Sequence, residues 1–102
     1  MDNDKLERRF EKLHREWAAA SRFTSSSSEM AMLPSYQQII GMGPAVLPFI
    51  FRELEREPGH WFWALRVITD ENPVPPESRG RIDEMTTYWL KWAGENMEKS
   101  DE

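Results

Sequence analysis

The chain has 102 residues, enough for one small domain, and carries a net charge of -5 with a pI near 5.1. That balance argues against nucleic acid as the main partner, because phosphate binding needs a basic patch and Arg8, Arg9, Lys12 and Arg15 are interleaved with Glu7, Glu11 and Glu16. The absence of cysteine removes disulfides, thiolate metal sites and cysteine nucleophiles.

The opening Met1-Asp-Asn-Asp-Lys5 is polar and acidic, unlike a signal peptide. Asp4 followed by Glu7 has the spacing of a helix-start capping box. Leu6, Phe10, Leu13, Trp17 and Ala20 then recur at spacings of four, three, four and three, one narrow apolar stripe on an otherwise charged helix. That face has to be covered, either by the chain's own core or by another chain. Thr24 and the serines 25–28 form the one low-complexity segment and are expected to be a flexible linker.

A short helix is expected from Pro34 to Met42, opened by Ser35 and Gln38 at capping-box spacing and ended by Gly41 in a left-handed cap. Gly43 and Pro44 start the next helix, with Leu47, Ile50, Phe51 and Leu54 inward. Pro48 is expected to bend its second turn, Glu53 and its acidic neighbours mark the wet side, and Pro58-Gly59 stops it. In His60–Ile68, Trp61, Ala64, Leu65 and Ile68 share one face while Trp63 and Val67 fall nearly opposite. A helix apolar almost all round is usually buried on both sides, so this one is expected at the centre. Pro73-Val74-Pro75-Pro76 is a stiff extended connector. The last helix spans about Glu77 to Met97 with Ile82, Met85, Trp89 and Ala93 inward, and the tail after it frays.

The pattern Gly41-x-Gly43-Pro44-Ala45, Pro48 and Leu54, followed by Trp63-Ala64-Leu65 and Ile68, resembles a HEAT-type helical repeat over residues 34–70. The resemblance implies a helical hairpin. A lone repeat cannot bury its own face, so flanking helices or a second subunit must cap it. The longer string from Tyr36 through His60-Trp61-Phe62-Trp63 to Pro75 also resembles a small bacterial family of short chains, often encoded beside another short gene and without an assigned activity. That resemblance implies a partner more than a reaction.

Candidate chemistry is sparse. His60 could act as a general base near Glu57 and Asp70, but one histidine without a nucleophile makes no catalytic constellation. His14 and His60 do not have metal-ligand spacing, and Asp70-Glu71-Asn72 lacks the alternating ligands of a calcium loop. Gly41-Met42-Gly43-Pro44 opens a helix but lacks the lysine of a phosphate loop. The serines at 25–28 sit where no fixed nucleophile geometry is expected. Tyr36, Trp63, Tyr88 and Trp92 stand partly off the core stripes, and five tryptophans exceed what so short a chain easily encloses. They fit either ordinary core or a protein-binding face, since Trp and Tyr dominate interface hot spots.

These readings give an all-α fold of about five helices, with a HEAT-like hairpin core and a linked amphipathic N-terminal helix. The expected parts are a helix over 1–23, a linker over 24–28, a helical domain over 29–98 and a tail over 99–102. The expected function is a non-catalytic protein-interaction module, antitoxin- or immunity-like, pairing with a co-encoded bacterial protein. Tyr36, Trp63, Tyr88, Trp92, Phe10 and Trp17 are the expected contact residues, with no cofactor, no metal, no nucleic acid, no membrane and a cytoplasmic setting. The alternatives are an obligate homodimer that exchanges its first helices and a small hydrolase-like enzyme using His60.

Overall fold

The computed structural model describes residues 3–24 and 26–97. They form α1 (Asn3–Ser21), α2 (Ser27–Met32), α3 (Pro34–Gly41), α4 (Leu47–Arg56), α5 (Phe62–Thr69) and α6 (Ile82–Asn96), with 3₁₀ turns at Gly43–Val46 and Pro76–Ser78 and no strand among the described residues. The fold is all-α, as the three-and-four spacing predicts. The tail expectation falls after Met97, outside the described residues.

α1 packs chiefly on α3 of the same chain, α5 also packs on α3, and α4 packs on α6. The successive helices α4 and α5, which a HEAT hairpin would join face to face, are not among the closely packed pairs of the described residues. The stripe of α1 is fully engaged in the middle: Phe10, Leu13 and Trp17 are buried, Leu6 is half-buried, and Ala20 is exposed where the helix outruns its neighbour. α1 already includes Asn3, so Asp4 lies in its first turn rather than at the cap, and its carboxylate still faces the positive end of the helix dipole. Arg52 of α4 reaches across to Glu7 at 2.9 Å and Glu11 at 3.7 Å.

Several turns differ from the sequence expectation for identifiable reasons. The serine run is more than linker: Ser26 caps α2, its Oγ accepting from the Glu29 N–H, and Ser27 and Ser28 lie in that helix. α3 starts at Pro34 with no side-chain cap, and Gln37 Nε2 donates instead to the Ala31 carbonyl at the end of α2. The left-handed residue after α3 is Gly43 (φ +77), not Gly41. Pro48 has no N–H to continue a helix begun at Pro44, so residues 43–46 tighten into a 3₁₀ turn and α4 begins anew with Pro48 in its tolerant first turn. Glu53, expected on the wet side, is buried and paired with Arg56 at 3.0 Å. The last helix begins at Ile82 rather than Glu77, because Gly80 turns left-handed (φ +85) and Ser78 Oγ donates to Glu84 Oε1 at 2.7 Å across the corner.

The core has two aromatic nodes. Phe10, Trp17, Tyr36 and Trp61 gather from α1, α3 and the start of α5, with Tyr36 stacked on Trp61 at 5.6 Å and 13°. Trp17 Nε1 donates to the Met30 carbonyl at 2.9 Å, fixing α2 against α1. The second node joins α4 to α6 through Phe51, Trp89 and Trp92.

Candidate interaction face

α5 is short, and its two sides have opposite fates. Ala64 and Leu65 are fully buried. One hundred degrees per residue carries Trp63 and Val67 to the other side, where they are 50% and 49% exposed. The expectation that this helix is buried on both sides is therefore corrected: its outer face stays about half open. Met32 at the end of α2 and Ile82 at the start of α6 add 58% and 52% exposed apolar side chains. Ile82, expected inward, is the first residue of its helix and stays half exposed, whereas Trp89 farther along is fully buried.

Three shallow depressions meet at Trp63. One runs from Met30 and Ala31 past Pro58 and Gly59 to Phe62 and Ile82. A second lies over Ser28, Ala31 and Met32. The third follows α5 from Trp63 and Val67 to Arg66, Asp70 and Glu71. The tryptophan thus forms the shared wall of one continuous, mostly apolar surface built from α2, α5 and the first residue of α6.

The geometry that aims Trp63 outward is set from below. Tyr36 is almost wholly buried, and its Oη donates to the His60 carbonyl at 2.7 Å while accepting the Ala64 N–H at 3.1 Å. One phenol thereby fastens both the loop before α5 and the first turn of α5. Gly59 (φ +110) and His60 (φ +66) both take the left-handed region, a costly conformation for histidine that the Tyr36 bond helps to hold. Burial pushes the Tyr36 phenol up to about 12, opposed in part by the Ala64 hydrogen bond, which favours the phenolate. At the far end Asp70 (φ +58) closes α5 in a left-handed cap.

The six expected contact residues do not form one surface. Phe10, Trp17 and Tyr36 come together, but inside the core, where they hold α1, α3 and α5 and are closed to a partner. Trp92 and Tyr88 are half-buried on α6, Trp92 leaning on Phe51 at 6.1 Å. Trp63 alone stands at the centre of the open face. Of its companions, Ile82 is expected inward from the sequence and Met32 is not among the expected contact residues; Val67, four residues on along the same helix side, is the available signal. His60 contributes its backbone to the Tyr36 brace, and its ring meets the edge of Trp17 at 5.4 Å. No carboxylate or hydroxyl is bonded to that imidazole among the described residues. No helix among them is long and apolar enough to cross a membrane. No protein-family model, curated protein or solved structure matches the chain.

Proposed function

We propose that this chain is a protein-interaction module whose contact surface is the Trp63 face. The observation that carries the reading is the half-exposed apolar set Met32, Trp63, Val67 and Ile82, gathered around one tryptophan on a domain whose other four tryptophans are buried or half-buried. Scattered surface leucines need no explanation, but contiguous large apolar side chains around a tryptophan are the usual anatomy of an interface core. The face is also stiffly mounted: the Tyr36 bonds to His60 and Ala64 fix the base of α5, so little ordering entropy is lost on docking. The resemblance to short, co-encoded bacterial chains adds the setting of an antitoxin- or immunity-like partner. The apolar stripe of α1 is covered within the chain, so the reading routes no contact through it.

A photo-cross-linking amino acid placed at Val67 in cells tests this. A discrete adduct, absent when the same probe replaces Glu55 on α4, supports the reading. Absence of any adduct specific to the Val67 position overturns it.

A further inference from the structure

We propose that the occupant of the Trp63 face is a basic amphipathic helical segment of a partner protein. The inference rests on the reading of that face as an interaction surface and adds the chemistry of what fills it.

The depressions that Trp63 shares with α2 and the start of α6 hold no carboxylate, and the acidic charge lies in the one that follows α5. Asp70 and Glu71 line the depression that leads from Trp63 along α5. Neither carboxylate makes an ion pair among the described residues. The single cation on the lining is Arg66. The C-terminus of α5, where Asp70 sits, adds the negative end of a helix dipole. An exposed indole face beside carboxylates suits a lysine or arginine through cation–π attraction as well.

The chain as a whole carries a net charge of -5, so the surrounding field also draws a cationic segment and repels an acidic one, an anionic lipid surface or nucleic acid. The exposed apolar side chains come from α2, α5 and the start of α6, and an amphipathic helix brings apolar side chains at every third or fourth residue to such a set. Lysines or arginines beside the apolar face of that helix would meet Asp70 and Glu71.

The test uses the full chain and a fluorescein-labelled synthetic helix of leucine and lysine, compared with versions in which glutamine or glutamate replaces lysine. Fluorescence anisotropy is expected to show the lysine peptide binding at least about tenfold more tightly than the glutamine peptide. The glutamate peptide should not bind. Trp63→Ala should weaken the lysine peptide about thirtyfold or more. The double variant Asp70→Asn, Glu71→Lys should abolish the preference for lysine; asparagine is chosen at 70 because it tolerates the left-handed backbone there. Reversing Glu55 and Glu95, exposed carboxylates that line none of the three depressions, should change little.

Equal loss from the Glu55 and Glu95 reversals would overturn the inference in favour of general charge attraction. Trp63-dependent binding of the lysine and glutamine peptides with equal affinity would also overturn it, yet leave the interaction face standing. So would self-association by light scattering that Trp63→Ala abolishes, which would make the occupant a second copy. Binding to anionic vesicles in preference to the peptide would overturn it as well. Val67→Ala serves as a second variant on the same face should Trp63→Ala lose helical content by circular dichroism. If no peptide binds, the inference fails, and the Val67 cross-link decides the face separately.

Discussion

α1 and α5 both offer large aromatics to their surroundings, but they are satisfied differently. α1 concentrates Phe10, Leu13 and Trp17 on one line, and α3 of the same chain covers that line. Its remaining surface is charged, with Arg52 from α4 answering Glu7 and Glu11. α5 is less than half as long and places Ala64 and Leu65 inward but Trp63 and Val67 outward. A domain of this size has one core, and a short helix apolar on two sides can enter it with only one of them. The outer side of α5 is therefore left half exposed.

The comparison would break most visibly at Phe10. Phe10→Ala empties a fully buried site and should cost about 3–5 kcal/mol. In a domain of about this size each kcal/mol moves the melting midpoint by roughly 4–8 °C. A thermal melt shifted by only a few degrees would mean that the α1 face is not held as described.

Two further measurements address the brace beneath α5. The Tyr36 phenol lies above its ordinary value of 10.0, at about 12, because burial disfavours the phenolate. Above pH 10 the unfolded chain therefore gives up this proton more readily than the folded one. The contribution is complete below pH 10 and declines as pH rises towards 12, by about 2–3 kcal/mol in all. Denaturant unfolding on either side of pH 10 should show this slope in the parent protein and not in Tyr36→Phe; equal slopes would place the phenol in solvent. At neutral pH, Tyr36→Phe leaves the buried Ala64 N–H and the His60 carbonyl without their partner and should cost about 1–3 kcal/mol. Backbone hydrogen exchange at Ala64 would report the loss locally.

On the outer side, Trp63→Ala should cost about 1 kcal/mol or less, since half of the ring is already in water. A loss of several kcal/mol in chemical denaturation would show that the outer side of α5 is part of the core. The smallest effect is expected at Arg52, which is substantially exposed and joins α4 to α1 through Glu7 and Glu11. Arg52→Ala should change stability by about 0–1 kcal/mol at low salt and by less as salt screens the pairs. A large, salt-independent loss would point instead to its packing over Phe49 at 5.5 Å.

Local rules explain much of this architecture. The period of α1 and the stripe Leu47, Ile50, Phe51 and Leu54 are legible in the sequence, because a helix face is defined by spacing alone. Turn chemistry is less so. Whether Gly41 or Gly43 takes the left-handed position depends on where Pro44 and Pro48 force the chain to restart, a competition between neighbouring signals rather than any one of them.

The site was partly legible. Trp63 and Val67 share a side of their helix by sequence, but no sequence rule says which side a neighbour will cover. Phe10, Trp17 and Tyr36 illustrate the converse: the residue types that serve interfaces also serve cores, and only packing buries these three between α1, α3 and the start of α5. The phenol of Tyr36 joins groups 24 and 28 residues away, and no local pattern encodes such a bond.

The sequence by itself determined that this chain is helical, where its principal apolar stripes run and that it carries no cysteine chemistry, since each follows from residue type and spacing. Tertiary structure alone decided that α1 is covered by its own chain, that Tyr36 braces α5 and that Trp63 faces outward. Burial is a property of pairs of elements: a helix face becomes core only when another segment, distant in sequence, arrives to exclude water from it.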